Sequence, residues 1–274
     1  ILRSIGQRFA EDIYRAIKSF FLGSKSKKAL PPAESVSRSS KERPDAPRQL
    51  RYRLGAMLGA NQRVALYEAT TPSGEKVFFK QAVNRTSNDW LIRESRILSR
   101  LWTGERFRKQ LPHLVEHFLT EDGLAVNVFE NIPGFDLRQV RERYPDGIPA
   151  RHSIWLWRRI LAVVGHAHSQ GILHGNIEPS HVLVRPEDHN VWLIDWSYAV
   201  DNPARTGESF RIENHPFTAP EVTARANPLP SSDMYSIGQC MIYALGGDPA
   251  SGRIPDLDER LVRLLRLFTL STPA

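Results

Sequence analysis

The second half of the chain contains HGNIEPSH at His174–His181, followed by IDW at Ile194–Trp196 and APE at Ala219–Glu221. These stretches combine histidine, asparagine and carboxylate side chains with glycine and proline. They lie in a chain of 274 residues, of which 41% are hydrophobic and 24% are charged. This length and composition allow a substantial core and exclude a wholly disordered or fibrous protein. The polar stretches therefore belong to a folded domain.

The pattern upstream of these stretches predicts a β-rich region. Short runs of β-branched and aromatic residues are separated by glycine and proline turn signals, which predicts strands at 52–58, 63–69, 76–81, 114–119 and 124–129. A helix is predicted between the third and fourth strands, at 88–101, with Asn88 or Asp89 as its N-cap. Helices dominate from residue 133 onward and are predicted most clearly at 153–170, 234–245 and 257–268.

Further motifs lie in or near the predicted strands and helices. VFFK occupies Val77–Lys80, Glu94 lies in the predicted helix, and DWS occupies Asp195–Ser197. With HGNIEPSH and APE they resemble the protein-kinase superfamily motifs V-A-I-K, the helix glutamate that follows it, H-R-D-x-x-x-x-N, D-F-G and A-P-E. Each motif alone is weak, but their shared order across residues 52–246 is specific. The resemblance implies an α+β, bilobal protein-kinase-like fold, with a small β-sheet lobe that includes one helix and a second lobe that is mainly helical.

Four regions are expected along the chain. Residues 1–22 are predicted to form an amphipathic helix, 23–49 a flexible basic linker, 50–132 the N-terminal lobe and 133–274 the C-terminal lobe. The linker prediction depends on a stretch rich in Ser, Pro and basic residues, which cannot bury enough apolar surface to order itself. The resemblance also implies a last helix and an arginine partner for Glu221 beyond Ala274, so the second lobe is expected to be truncated.

The positive charge of the chain is concentrated near its N-terminal end. The formal net charge is +7, and residues 1–50 contain eleven basic against five acidic residues. Because a nucleic-acid-binding domain carries its basic surface on the folded part, nucleic acid is disfavoured as a partner. The mixed charge on the polar face of helix 1–22 disfavours a membrane surface and favours a protein partner there. No run of 18 apolar residues exists, and the single cysteine, Cys240, excludes an internal disulfide. A cytoplasmic protein is expected.

Three residues in HGNIEPSH depart from the pattern of active kinases. Asn176 stands at the position of the catalytic base, and a carboxamide cannot accept a proton at neutral pH. His181 stands where the resemblance places a metal-binding asparagine, and imidazole nitrogen is a poor ligand for Mg²⁺. Glu178 replaces a lysine, which reverses the charge beside the expected phosphate. No catalytic set is therefore intact, and the chain resembles a bacterial-type Ser/Thr pseudokinase.

The expected nucleotide pocket is altered as well. Of three glycine positions in the phosphate-binding loop only Gly59 remains, because Asn61 and Val64 occupy the other two. Their side chains hinder close approach of the backbone to phosphate. Phe78 replaces the small alanine of V-A-I-K, and residues two apart in a strand share a face. Its ring is therefore expected beside Lys80, in the adenine slot.

Lys80, Glu94 and Asp195 are the parts of the pattern that remain. With Gly59 they form a conditional cofactor site, in which Lys80 would bind phosphates and Asp195 a metal. The alternative is a structural network in which Lys80 bridges the two carboxylates, since a buried lysine needs such partners. A metal site at Asp195 and His181 is a further hypothesis, although two protein ligands are fewer than the usual three or four.

The predicted function is that of a pseudokinase that acts as a protein-interaction or scaffold module. No cofactor is expected to be required, with ATP and Mg²⁺ left open. The alternative is an unconventional ATP-dependent phosphotransferase or nucleotidyl-transferase that uses Lys80, Glu94 and Asp195. His174 and Gly175 are also similar to the H-G-D of small-molecule phosphotransferases, which use an aspartate where this chain has Asn176.

Overall fold

A five-stranded antiparallel sheet forms the first lobe. The computed structural model describes residues 51–103, 107–187, 190–211 and 213–270, so the helix expected at 1–22 and the linker expected at 23–49 lie outside the described residues. The sheet has the spatial order β1-β2-β3-β5-β4. Its strands are β1 (Arg53–Ala60), β2 (Val64–Thr70), β3 (Lys76–Ala82), β4 (Leu114–Leu119) and β5 (Ala125–Glu130).

Strand β3 separates two apolar layers. Phe79 is buried beside Phe118, with the ring centroids 6.2 Å apart. Phe78, the preceding residue, packs against the main core instead, as the alternation of side chains along a strand requires. Helix α1 (Asn88–Leu101) packs on the sheet through the fully buried Leu91. The alternation therefore separates two neighbouring phenylalanines into different cores.

The start of helix α1 differs from the prediction. Neither Asn88 nor Asp89 is the N-cap, because a short 3-10 turn at Arg85–Ser87 precedes the helix and is capped by Asn84. The Asn88 side chain instead accepts a hydrogen bond from the Ala125 N–H at 2.8 Å and donates one to a loop carbonyl before β5. It ties the helix to β5, a tertiary contact that the local pattern does not encode.

The second lobe combines helices with short strands. Its helices are α2 (Leu137–Arg143), α3 (Ala150–Ser169), α4 (Pro203–Thr206), α5 (Pro220–Thr223), α6 (Pro230–Ala244) and α7 (Glu259–Phe268). A three-stranded sheet joins β6 (Phe135–Asp136), β8 (Val182–Arg185) and β9 (Asn190–Leu193), and β7 (Ile172–Leu173) pairs with β10 (Val200–Asp201). These strands were not predicted, because runs of two to four residues are too short for a two-residue repeat to be recognised.

Helix α6 is almost completely buried, as its apolar character predicts. Ile237 and Cys240 have no exposed surface, and burial raises the pKa of the Cys240 thiol well above its ordinary value. The helix begins at Pro230, four residues earlier than predicted, because proline is favourable at the first helical position and Ser232 Oγ accepts from the Leu229 N–H. Within the described ranges, no helix is both long and apolar enough to cross a membrane.

Candidate functional site

The side chain of Lys80 lies between two carboxylates that come from different elements. Its Nζ is 2.9 Å from Glu94 Oε1 on helix α1 and 2.6 Å from Asp195 Oδ1, which follows β9. The side chains of Lys80 and Glu94 are 10% and 2% exposed, and that of Asp195 is 20% exposed. The structure therefore brings together three of the four residues expected to bind a cofactor. Because Asp195 belongs to the second lobe, one lysine joins the two lobes directly.

Neighbouring polar groups hold both carboxylates in place. Asn127 Nδ2 donates to Glu94 Oε2 at 2.9 Å, and the amide is oriented by His117, whose Nδ1 lies 2.7 Å from Asn127 Oδ1. Ser197 Oγ donates to Asp195 Oδ1 at 2.6 Å. Sequence reasoning missed Asn127 and His117. The signal at Asn127 is a polar residue inside the apolar run Ala125–Phe129 of β5. The hydrogen bonds from Asn127 and Ser197 satisfy carboxylate oxygens of Glu94 and Asp195 that would otherwise be costly to desolvate.

The three charges shift one another's pKa values. Burial alone would lower the pKa of Lys80, but the adjacent Asp195 and Glu94 outweigh it and raise that pKa above its usual value. Burial would raise the pKa of Asp195, yet the charge of Lys80, aided by His181 and Ser197, holds it well below its ordinary range. For Glu94 burial dominates and raises the pKa. At neutral pH Lys80 and Asp195 therefore form an ion pair.

Asn176, at the expected base position, is enclosed by hydrogen bonds. Its Oδ1 accepts from Asn214 Nδ2 at 2.6 Å, and its own Nδ2 lies 3.5 Å from Asp195 Oδ2. The preceding Gly175 has φ +72, and a Cβ there would lie 2.7 Å from a ring carbon of Phe210. Asn214 and Phe210 both come from the chain between β10 and α5. The loop His174–His181 is thus covered by two side chains from that segment.

His181 lies beside Asp195 but is oriented by its own loop. Its Nδ1 donates to the Asn176 carbonyl at 2.8 Å, since a carbonyl oxygen can only accept. Its Nε2 is 3.5 Å from Asp195 Oδ2 and 3.6 Å from Glu178 Oε1. The two residues of the metal hypothesis are therefore close together. This donor set does not fit a pair of Mg²⁺ ions, because one ligand is nitrogen and one oxygen of Asp195 is paired with Lys80. The described part of the chain contains no group of three or more His, Cys, Asp or Glu residues that could hold a metal ion.

Asp233 on helix α6 anchors the start of the loop His174–His181. Its carboxylate accepts from the backbone N–H groups of His174 and Gly175, at 2.8 and 3.0 Å, and lies 2.8 Å from His168 Nε2. The His174 ring is fully buried, donates through Nε2 to the Ile194 carbonyl and accepts at Nδ1 from the loop backbone. Burial lowers the pKa of His174 to about 4. This histidine is therefore a neutral structural group.

The remaining predicted positions are placed as follows. Gly59 lies in exposed β1 opposite Leu66, and a Cβ added to it would meet no described atom within 4 Å. Phe78 is partly buried and packs against the main core. Glu221 accepts from Ser232 Oγ at 2.7 Å, which provides a partner within the described residues.

The order and geometry of these residues agree with a comparison against known families. A family model described as "Protein kinase domain" matches residues 54–263, which is more than half of the chain. The chain belongs to the protein kinase superfamily. The predicted bilobal α+β kinase fold is thereby confirmed.

Several protein kinases are similar to this chain in sequence. The serine/threonine-protein kinase PknD of Mycobacterium tuberculosis is 25% identical over 202 residues, which cover 72% of this chain and 30% of that protein. The calcium/calmodulin-dependent protein kinase type I of Schizosaccharomyces pombe is 23% identical over 237 residues, covering 81% of this chain and 68% of that protein. The chain thus spans less than a third of the length of PknD.

Proposed function

We propose that this kinase-fold chain is a pseudokinase that works as a protein-interaction or scaffold module and transfers little or no phosphate. The main support for the proposal is that Asn176 stands at the position of the catalytic base. The Asn176 carboxamide replaces a carboxylate, and its oxygen is already occupied by Asn214. Loss of a general base typically slows a reaction about 10²–10⁴-fold. The amide has no basic lone pair with which to accept a hydroxyl proton.

The surroundings of Asn176 support the same proposal. Phosphoryl transfer depends on positioning and on cations that stabilise the developing negative charge. Here Lys80 is held by two carboxylates, and Glu178 adds a negative charge next to His181. ATP and Mg²⁺ are cofactors of the family, and we propose that this chain does not require them.

A second candidate is an unconventional phosphotransferase or nucleotidyl-transferase. It is favoured by the retained residues Lys80, Glu94 and Asp195. Each of the two carboxylates has an oxygen within 2.9 Å of Lys80 Nζ. The same trio could orient a triphosphate in a different pose, with a base from elsewhere. The two candidates differ in one measurable respect, which is whether any transfer depends on Asp195.

Radiolabelled ATP transfer to generic protein substrates and to the chain itself distinguishes the candidates. We expect no transfer above background for the unmodified chain with Mg²⁺ or Mn²⁺, and none for Asn176→Asp. The single substitution restores a carboxylate but leaves the His181, Glu178 and phosphate-loop changes in place. Transfer by the unmodified chain that is abolished in Asp195→Ala would overturn the proposal in favour of the transferase. Strong transfer by Asn176→Asp would instead show that the base alone is missing.

We further propose a protein partner that binds through residues 1–22 in the cytoplasm. The supporting observation is the predicted amphipathic pattern of that stretch together with its mixed polar charges. Co-purification from the source cell with the whole chain, and with a variant that lacks residues 1–22, tests it. Specific partners should be lost with the deletion, and retention of the same partners would contradict this route of binding.

A further inference from the structure

The turn that joins β1 to β2 is closed by one of its own side chains. The turn comprises residues 61–63, and Asn61 Oδ1 accepts hydrogen bonds from the backbone N–H groups of Arg63 and Val64 at 2.8 and 2.9 Å. The Asn61 N–H in turn donates to the Val64 carbonyl at 2.9 Å. Because the first two partners are N–H donors, the carboxamide atom that faces them is the oxygen. These residues are called the Asn61 turn below.

The Asn61 turn lies where the kinase resemblance places a phosphate-binding loop, of which Gly59 is the remaining glycine. Successive backbone N–H groups in a turn form a concavity that binds an anion when no other acceptor fills it. Here the Asn61 oxygen fills it. A phosphate oxygen would have to displace an acceptor that is covalently part of the same turn. The residues of the Asn61 turn therefore do not fit the phosphates of a nucleotide.

Arg63 ties the Asn61 turn to its surroundings. Its carbonyl accepts a hydrogen bond from the Val83 N–H at 2.9 Å. Its guanidinium carbon lies 4.1 Å from the centroid of the Trp90 ring at the start of helix α1, and a cation over an indole face is attracted by the ring quadrupole. The guanidinium also donates a hydrogen bond to the hydroxyl of Tyr198 in the second lobe. One side chain thus joins the turn to the helix and to the second lobe.

The Tyr198 end of this connection is held firmly. Tyr198 is buried in the 3-10 turn Trp196–Tyr198, and its ring centroid lies 4.9 Å from that of Trp90. Burial raises the pKa of its hydroxyl, the charge of Asp195 acts in the same direction, and the charge of Arg63 opposes both. The phenol is therefore neutral at neutral pH and accepts the hydrogen bond from Arg63 through its oxygen. The Asn61 turn is thus connected to the residues that follow Asp195.

We propose that Asn61 is a specificity-determining residue that excludes phosphate from the β1–β2 hairpin, because its oxygen already occupies the two backbone N–H groups, and that Arg63 holds the hairpin in this arrangement. The exclusion acts on phosphate, whereas Phe78 is expected to act on adenine. It therefore extends to polyphosphates that carry no base. It does not depend on whether the cleft transfers phosphate by another route.

Calorimetric titration of the whole chain with inorganic tripolyphosphate tests the role of Asn61, because this probe carries phosphates and no adenine. We expect no binding to the unmodified chain at millimolar concentration. Asn61→Gly frees the two N–H groups and should bind the probe roughly tenfold more tightly, as for a gain of charge-assisted hydrogen bonds. Asn61→Asp keeps an acceptor oxygen in the turn and should gain no binding. Asn227→Gly, at an exposed asparagine of the second lobe, is the matched control and should gain none either.

Hydrogen–deuterium exchange of the same proteins measures the hydrogen bonds themselves. Peptides covering 58–66 should exchange roughly fivefold faster in Asn61→Gly, as for local opening, and at the unmodified rate in Asn61→Asp. Arg63→Gln should raise exchange in the same peptides and in those covering 196–200, because the connection between them is lost. Arg53→Gln removes an exposed arginine from β1 of the same hairpin and should change neither. Peptides of β5 serve as the internal reference for global unfolding.

Three outcomes would overturn the proposal. One is binding of tripolyphosphate to the unmodified chain as tightly as to Asn61→Gly. Another is faster exchange in Asn61→Gly without any gain in binding, which would restrict Asn61 to the shape of the turn. The third is an unchanged exchange rate in Arg63→Gln. Transfer of phosphate from ATP is measured in a separate assay, so its detection would contradict the proposed function and leave these three outcomes unaffected.

Discussion

At the residue scale, His174 couples the structure to pH. Its imidazole is fully buried and neutral, and its folded pKa is about 4, whereas an unfolded histidine titrates near 6.5. Between these values the unfolded state binds the extra proton, so stability falls as the pH falls from about 6.5 to 4. Below about pH 4 the stability falls further, because the pKa of Asp195 is depressed in the folded state. Protonation of this carboxylate at low pH removes its ion pair with Lys80.

We expect the free energy of unfolding of the chain to fall by about 3 kcal/mol between pH 7 and pH 4 on account of His174. Urea unfolding at a series of pH values measures this slope. A His174→Gln variant should be less stable at pH 7, since it loses packing, but it should have a shallower slope. The exposed His215→Gln serves as control and should keep the slope of the unmodified chain. Equal slopes for all three proteins would contradict the prediction.

At the scale of single elements, the side chains of strand β3 alternate between two faces, and one of these faces contains Lys80. Lys80 and Phe78 are two apart and share a face, while Phe79 packs into the separate aromatic cluster. The sequence predicted this alternation, and the structure places Phe78 against the main core as the alternation requires. That its ring obstructs adenine stays a prediction.

We expect Phe78→Ala to create or raise ATP binding by opening the adenine slot beside Lys80. Thermal unfolding with and without ATP and Mg²⁺ measures this, since ligand at about 100 times its dissociation constant adds roughly 2.7 kcal/mol of stability. The unmodified chain and Phe78→Leu, which keeps most of the volume, should not shift. If Phe78→Ala melts at the same temperature with and without ATP, the ring does not control access to the cleft.

At the scale of the whole molecule, Lys80 and Asp195 form one of the ion pairs between the lobes, and they are 115 residues apart in the chain. Removing one member of a largely buried pair leaves an uncompensated charge. A double-mutant cycle of Lys80→Met and Asp195→Asn should therefore give a coupling energy of about 1–3 kcal/mol in urea unfolding. The exposed pair of Arg260 and Asp258, tested with Arg260→Gln and Asp258→Asn, should show much smaller coupling. Additive effects at Lys80 and Asp195 would mean that the lobes are held together by other contacts.

The sequence by itself determined the fold class and the order of the five strands and one helix of the first lobe. Helix α1 and strand β4 have the predicted bounds, because repeating apolar side chains record which face of an element is buried. The identity of Asn176 excludes a carboxylate base at this position in any structure, since the chemistry of a carboxamide does not depend on the fold.

Only the tertiary structure decided which of these residues meet. It placed Lys80 between Glu94 and Asp195. It also joined Arg93 to Glu208. Local periodicity specifies burial within one element, whereas these partners lie on different elements and meet only when helix α1 and the second lobe pack around one cleft.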